Sequence, residues 1–286
     1  MNSYLSEFIK NNTDIINNDE MDLVYSKCLM NERGKLTSLL IDAGIPVMNL
    51  FKDTIPESFL EGAELDSIKL PNNIKTIDTR GFFESKLKHI ELNNNLEKIC
   101  FAAFSRSRSL ESIKIPDSVT TFEDCILFEC SSLQRVELPS NMKVLPKGMF
   151  EYCTSLEKIE LPETVERISS FAFYSCKNLK SITLPKNLEI IGYNAFTKTG
   201  LKSITIPEGV IELNSGVFSG CRSLEEAYLP KTLKRCMSSI FADCRNLATI
   251  YYDVNADEDE FIRGYVRTGA PFDIVYRDKT VQVNDY

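Results

Sequence analysis

Residues 156–178 read LEKIELPETVERISSFAFYSCKN, and this stretch decides the fold because close variants of it recur along most of the chain. It opens with a lead leucine, Leu156, in the pattern L-x-x-I-x-L/I. Lead leucines recur every 22 or 23 residues, at Leu65, Leu87, Leu110, Leu133, Leu156, Leu179, Leu201, Leu224 and Leu247. Such a period is typical of a solenoid, in which each turn stacks on the next.

Three further apolar ladders keep the same period. The first is Val119, Met142, Val165, Leu188, Val210 and Leu233. The second is Ile77, Ile99, Phe122, Leu145, Ile168, Ile191, Leu213 and Cys236. The third is Phe59, Phe82, Phe104, Leu127, Phe150, Phe173, Phe196, Phe218 and Phe241. One turn cannot bury these positions by itself, so stacked turns must supply the core.

Each lead segment predicts a short strand. In the copy LESIKIP, which starts at Leu110, the two isoleucines lie two residues apart and therefore share a face. Pro116 then ends the strand, because proline has no N–H to donate to a sheet. Later in each copy a bulky side chain such as Phe173 fills the space between the layers.

The repeat LxxIxLPxxVxxIxxxxFxxCxxL resembles the BspA-like (Treponema pallidum type) leucine-rich repeats over about residues 59–252. The resemblance implies an α/β repeat solenoid, a curved leucine-rich repeat with a parallel β-sheet on its concave face. Members of that family are mostly bacterial surface proteins, with others in parasitic protists and viruses, and they serve adhesion or protein recognition. The family has no catalytic residues to carry over.

Both ends depart from the period. Residues 1–35 space apolar residues three and four apart, which predicts a short helical N-terminal cap. The solenoid is predicted to span 36–252, with 36–58 as a degenerate first repeat. In that repeat Leu36, Leu39 and Ile41 match the strand, Ile45 and Met48 match the next two ladders, and NLFKDTIPE is an insertion that can project as a loop.

Residues 253–286 predict a C-terminal cap made of a helix and short strands. Asp257 is a good N-cap for a helix through about residue 266, with acidic residues in its first turn. Calcium binding is the alternative for this acidic run, but the ligand spacing and central glycine of a calcium loop are absent. FDIVYRD and TVQV are predicted to be strands that close the sheet edge.

Nine cysteines and a single histidine restrict the metal and catalytic chemistry. Five cysteines recur three residues before a lead leucine, namely Cys130, Cys153, Cys176, Cys221 and Cys244, with Ser85, Ser107 and Thr199 at matching places. Zinc sites hold cysteines in close pairs or with histidine. The spacing therefore favours a ladder of weak donors to buried carbonyl groups over a metal or disulfide set. Cys236 is predicted to lie in the core, and no metal or cofactor is expected.

Composition and motifs disfavour several classes of function. The net charge of −8 disfavours a nucleic-acid binder. The chain holds no phosphate-loop, dinucleotide, serine-hydrolase, zinc-protease or C-x-x-C motif, and His89 is predicted to lie on the surface of a strand. The first twenty residues lack an apolar export segment, and Asp42, Gly44 and Pro46 interrupt the longest apolar stretch. We therefore expect a cytoplasmic protein without membrane insertion; a cell-surface protein whose export signal was removed is the alternative.

The outward side of the predicted sheet is the candidate binding surface. Residues two and four after each lead face outward if those three and five after it face the core. The N-terminal half alternates charges and predicts cross-strand pairs such as Lys114–Glu137 and Arg135–Glu160. Predicted partner-binding residues are the patch of Tyr228, Tyr251, Glu226, Thr183 and Thr205, together with Arg135, Lys158 and Glu160. A plain solvated strand surface is the alternative.

These features favour a non-enzymatic module that recognises a protein partner inside the cell, as an interaction, inhibitor or effector protein. The acidic balance favours a basic partner. An exported adhesin that binds a host protein or glycan is one alternative, and an enzyme is another. The sequence leaves the partner's identity and the oligomeric state open.

Overall fold

The computed structural model describes residues 51–63, 65–254, 268, 270–277 and 279–283. These residues wind into a β-solenoid of stacked turns, most of them contributing a lead strand and a shorter second strand. Within the described residues the regular secondary structure consists of strands, so the helical part of the predicted α/β class has no counterpart there. The helical cap predicted for residues 1–35 and the helix predicted at 257–266 lie outside the described residues.

The lead strands stack on one face, which we call the lead-strand face. They are β2 (Ser67–Lys69), β4 (His89–Glu91), β6 (Ser112–Lys114), β8 (Arg135–Glu137), β12 (Ser203–Thr205), β14 (Glu226–Leu229) and β16 (Thr249–Tyr252). They pair in parallel within two sheets, one from β2 to β8 and one that starts at β12. As the alternation predicts, Ile113 and Ile115 are buried while Lys114, between them, is exposed.

A second stack of two-residue strands, which the sequence analysis did not predict, follows another face. Its strands are β1 (Thr54–Ile55), β3 (Thr76–Ile77), β5 (Lys98–Ile99), β7 (Thr121–Phe122), β9 (Val144–Leu145), β10 (Arg167–Ile168), β11 (Ile190–Ile191), β13 (Glu212–Leu213) and β15 (Arg235–Cys236). Most of these strands end in a fully buried ladder residue, such as Ile77 or Leu145. A strand of two residues is too short to show an alternating pattern, so periodicity does not reveal it.

The phenylalanine ladder forms a third side. Phe82 and Phe104 stack with ring centroids 5.1 Å apart, and consecutive rings from Phe150 to Phe241 stack at 5.2–5.5 Å. Leu60 occupies the equivalent position in the first described turn, because its N–H donates to Gly81 as that of Phe82 donates to Ala103. The prediction of Phe59 for this position is therefore wrong by one residue.

Left-handed backbone flanks each position of this ladder. Around Phe173, for example, Phe171 has a φ of 61° and Ser175 a φ of 59°. This geometry directs alternate N–H groups to the next turn, so Phe173 donates to Ala195 and Ser175 to Thr197. Most of the left-handed positions hold residues other than glycine, so no glycine pattern in the sequence marks them.

The stretch NLFKDTIPE joins the solenoid over its described part. Thr54–Ile55 pairs in parallel with Thr76–Ile77, and Ile55 is completely buried. Ile55 thus carries the ladder position that the sequence analysis gave to Met48, which lies outside the described residues. The prediction that this stretch projects as a loop is wrong at Thr54 and Ile55, because the 22-residue period continues through them.

The C-terminal strands lie where the sequence analysis expects strands. They are β17 (Phe272–Tyr276), which pairs in parallel with β16, and β18 (Thr280–Val283), which pairs antiparallel with β17. Ile274 is fully buried and continues the core beyond Ile250. The boundaries 36–252 and 253–286 stay predictions.

The second stack breaks between β7 and β9. At equivalent places Glu123 donates its N–H to Ile99 and Ser169 donates to Leu145, both at 3.0 Å. Pro146 occupies this place in the turn between them, and it has no N–H to donate to Phe122. A cleft of about 340 Å³ opens beside Pro146.

Replacing Phe173 tests the ladder. Phe173→Ala should lower the free energy of unfolding by about 3–5 kcal/mol, because it deletes a fully buried ring that stacks on both neighbours. Phe173→Leu is the matched control, since Leu127 fills an equivalent place and is also fully buried; its loss should be well below that of the alanine variant. Urea unfolding followed by circular dichroism measures both, and equal losses would contradict the role of filled volume.

Pro146→Ala tests the cause of the break. The new amide at position 146 should bond to the carbonyl of Phe122 and become protected from hydrogen exchange, as the Ser169 amide is expected to be. Exchange measured by NMR compares the two amides within the same variant. Fast exchange at position 146 beside a protected Ser169 would show that something other than proline opens the stack.

Candidate binding face

Charge pairs cover the N-terminal part of the lead-strand face. Lys114 and Glu137 form the predicted cross-strand pair with 2.7 Å between Nζ and Oε2, and Lys69 pairs with Glu91 in the same way. These side chains are about two-thirds or more exposed, so each pair contributes little to stability. Their main effect is to neutralise this part of the face.

The predicted pair Arg135–Glu160 does not form. Among the described residues no ion pair within 4.0 Å joins these two side chains. Arg135 lies two residues after its lead and Glu160 four after the next lead, so the two positions are diagonal rather than opposite. The prediction is wrong because it ignored the parallel register.

Arg135, Lys158 and Glu160 instead lie at an interruption of the lead-strand face. No backbone hydrogen bond joins β8 to residues 158–160 in the described part of the chain, and Glu160 forms an isolated bridge with Thr183. One period places Arg135 beside Lys158 and Glu137 beside Glu160, and such like charges oppose close pairing. A cleft of about 530 Å³ lies between the two segments.

The C-terminal part of the face brings the predicted tyrosines together. The register of β12, β14 and β16 aligns Thr205, Tyr228 and Tyr251. The two tyrosine rings stack with centroids 4.5 Å apart and planes 7° from parallel. Tyr228 is 37% exposed, and its hydroxyl donates to Oε2 of Glu226 at 2.9 Å, which raises the pKa of Tyr228. Four of the five patch residues thus share one regular sheet.

Thr183 lies on the same face, in the turn that precedes β12. Its segment bridges to Glu160 but is not paired with β12. The predicted site residues therefore fall into two groups. Thr205, Glu226, Tyr228 and Tyr251 stand on the C-terminal sheet, while Arg135, Lys158, Glu160 and Thr183 stand on the interrupted middle.

The strand β17 extends the patch in a way that the sequence analysis missed. Its register aligns Asp273 with Thr249 and Val275 with Tyr251. Both side chains are half-buried and lie between the buried residues of the strand. The alternation in FDIVY places Asp273 and Val275 on one side, but the 22–23-residue period does not reach this strand and cannot fix its register.

A second group of aromatic side chains lies beside the phenylalanine ladder. Tyr152 contacts Phe128 and Tyr174 edge-on, with centroids 5.8 and 5.5 Å apart, and Phe171 lies 5.9 Å from Tyr174. Lys198 donates to the Tyr174 hydroxyl at 3.1 Å. These residues do not share one position of the repeat, so reading the sequence by columns does not reveal the group.

The cysteine ladder is confirmed. Cys130, Cys153, Cys176, Cys221 and Cys244 are fully buried, and each donates its thiol to a main-chain carbonyl 25 or 26 residues earlier at 3.0–3.2 Å. Ser107 makes the same bond to Phe82. The cysteines of the described residues are free, and those residues contain no group of three metal-ligating side chains. Cys236 lies in the core, as predicted.

Two smaller observations complete the surface. His89 lies exposed on β4, as expected, with Nε2 4.0 Å from a carboxylate oxygen of Glu111. None of the described residues forms a helix that is long and apolar enough to cross a bilayer.

The repeat agrees with a family model. The model of the BspA type leucine rich repeat region matches residues 53–168 and 143–258 in six copies. The chain belongs to the BspA-type leucine-rich repeat family. Repeats of this family are generally non-catalytic protein-interaction modules. The resemblance drawn from the sequence is therefore confirmed.

The chain is similar to solved structures of leucine-rich repeat proteins. One from Bacteroides ovatus is 29% identical with a TM-score of 0.59, over 70% of this chain and 58% of that one. The T. pallidum leucine-rich repeat protein is 25% identical with a TM-score of 0.47, over 64% of this chain and 78% of that one. A leucine-rich cell surface protein from Faecalibacterium prausnitzii is 21% identical with a TM-score of 0.48, over 70% and 76%. No curated protein matches the chain.

The buried thiols predict a loss of stability at alkaline pH. Burial raises the pKa of Cys130, Cys153 and Cys176 above the ordinary value of 9.0, so the folded protein keeps protons that the unfolded chain loses. Below pH 9 this contribution is fully present; above it the free energy of unfolding should fall by about 1.4 kcal/mol per thiol and pH unit, until the folded thiols ionise. Urea unfolding at pH 8, 9 and 10 with a reductant measures the slope.

The triple variant Cys130→Ser, Cys153→Ser, Cys176→Ser is the control. Serine already fills the same position at Ser107 and does not ionise in this range. Above pH 9 the free energy of unfolding of the folded variant should fall less steeply with pH, because the three replaced thiols no longer contribute about 1.4 kcal/mol each per pH unit. If the free energy of unfolding fell equally steeply with pH in the variant and in the unchanged protein, the buried thiols would not be the cause of the alkaline loss of stability.

Proposed function

We propose that this chain is a non-enzymatic protein-recognition module whose lead-strand face binds a protein partner, with Tyr228 and Tyr251 at the centre of the contact. The observation that carries the proposal is the stacked pair of tyrosines on the outer side of a parallel sheet. Tyrosine gives a large contact area with a polar end and is enriched among the residues that dominate binding energy.

The sheet holds this pair in place before any partner arrives. Strand β14 is paired on both sides, with β12 and with β16, and Ala227 and Leu229, which flank Tyr228 in the strand, are buried. The ring of Tyr228 is further fixed by its hydrogen bond to Glu226. Little side-chain freedom is therefore left to lose on binding, which favours affinity.

The charged group at the middle of the face supports a larger contact. Neighbouring parallel strands lie about 4.8 Å apart, so the three steps from the turn of Lys158 to the turn of Glu226 span roughly 14 Å. An interface of ordinary size covers that distance. We assign Arg135, Lys158 and Glu160 to the rim of the same contact, where polar side chains are typical.

We further propose that the module acts inside the cell. The described cysteines are free thiols, and five of them serve as buried donors, which suits a reducing compartment. An adhesin at the cell surface is the alternative that the family offers. Protease treatment of intact host cells separates the two, because a surface protein would be degraded and an intracellular one would survive until lysis.

The double variant Tyr228→Ala, Tyr251→Ala tests the contact. It should keep its melting temperature to within a few degrees, because ring stacking at an outer face contributes only about 1 kcal/mol. As bait in affinity capture from the native host, read by mass spectrometry, it should retain much less of the partner that the unchanged chain retains.

Tyr193→Ala is the matched control, since Tyr193 is 46% exposed and lies beside the phenylalanine ladder rather than on the lead-strand face. It should capture the partner as the unchanged chain does. Undiminished capture by the double variant would overturn the proposal and place the contact on another surface.

A further inference from the structure

The C-terminal sheet presents two parallel columns of outward side chains. The register of β12, β14, β16 and β17 sets one column of Ser203, Glu226, Thr249 and Asp273 and another of Thr205, Tyr228, Tyr251 and Val275. Two of these eight side chains are acidic and none is basic. Lys202 precedes β12 and lies outside both columns. The surface is therefore electrostatically complementary to a cation.

One ring face in this sheet is open. Tyr228 and Tyr251 cover each other on one side, since their planes are nearly parallel and 4.5 Å separates their centroids. On its other side Tyr228 has the short side chain of Thr205 as its register partner. Threonine cannot cover an aromatic ring, and Tyr228 accordingly stays 37% exposed. This leaves a flat surface next to Thr205.

A carboxylate lies beside that ring. Glu226 is the next outward residue on the same strand, and its Oε2 accepts the hydroxyl of Tyr228 at 2.9 Å. No ion pair within 4.0 Å joins Glu226 to a base in the described residues. Its second oxygen can therefore accept from a donor that rests on the ring.

We infer that this surface binds an arginine side chain of the protein partner, with the guanidinium on the open face of Tyr228 and hydrogen-bonded to Glu226. The inference rests on the proposed function and specifies the chemistry of the partner at that site. A planar guanidinium stacks on a tyrosine ring while its N–H groups lie in the plane and point to the carboxylate. A lysine ammonium has no plane to stack and is more strongly hydrated.

A pair of peptides tests the inference on the full chain. The probes are N-acetylated, C-amidated peptides of alternating glycine with arginine or with lysine, equal in length and charge. The arginine peptide should bind at least about fivefold more tightly than the lysine peptide by calorimetry at moderate salt. Tyr228→Ala and Glu226→Gln should each weaken the arginine peptide by about fivefold or more and remove most of its advantage.

Glu189→Gln is the matched control. It removes the same charge at an exposed position that directly precedes β11, in the second stack of strands and away from the lead-strand face. It should change the affinity for the arginine peptide by less than about twofold. Equal binding of the two peptides, or equal effects of Glu189→Gln and Glu226→Gln, would overturn the inference, because the overall negative charge of the protein would then account for the attraction. Binding of a neutral oligosaccharide such as maltotriose in place of the peptides would overturn it as well.

Affinity capture from the host distinguishes a failure of the arginine inference from a failure of the proposed recognition face. If Tyr228→Ala with Tyr251→Ala loses the partner while Glu226→Gln keeps it, the contact surface stands and the arginine assignment fails. If the arginine peptide depends on Tyr228 and Glu226 but capture is unchanged by every variant, the cation site stands and the recognition face fails. Loss of the partner in both variants supports the two together.

Discussion

The stacking of one turn on the next is the constraint on which the whole molecule depends. A single turn exposes both of its flat sides, and its buried residues are covered only when neighbours are present. The phenylalanine ladder shows this directly, because each ring packs against rings that lie about one period away in the sequence. Contacts between neighbouring turns therefore stabilise the whole array, and the outward side chains contribute little to the stability of the fold.

This difference between buried and outward positions explains which parts of the structure could be predicted from the sequence. A buried position must satisfy the same geometry in every turn, so Leu179, Ile191 and Phe196 repeat and can be read by eye. The thiol ladder was predictable for the same reason, since Cys176 meets the same kind of carbonyl that its neighbours meet. Family membership followed from the same regularity.

What the sequence could not foretell lies where the repeat is too brief or is broken. Two-residue strands such as Arg167–Ile168 leave no alternation to detect, and left-handed positions filled by residues like Phe171 carry no glycine signal. At the candidate site the columns that hold Tyr228 and Tyr251 follow from the period, whereas Asp273 depends on a register beyond the last repeat. The predicted pair of Arg135 and Glu160, by contrast, was a misreading of the repeat, because the period itself places these two side chains on a diagonal.

Two of the interruptions of the sheets, the one between β7 and β9 and the one after β8, lie on successive junctions between turns. In the turn of residues 133–155 the lead strand β8 pairs with the preceding turn and not with the following one. The second strand β9 pairs with the following turn and not with the preceding one. On the phenylalanine side the bonds run unbroken, from Phe104 to Ile126, Leu127 to Met149 and Phe150 to Ala172. The phenylalanine side therefore holds the turns together at both junctions, while one of the two strand stacks is open at each. A small tilt between turns at either junction therefore strains fewer backbone hydrogen bonds than at a junction where both stacks are paired.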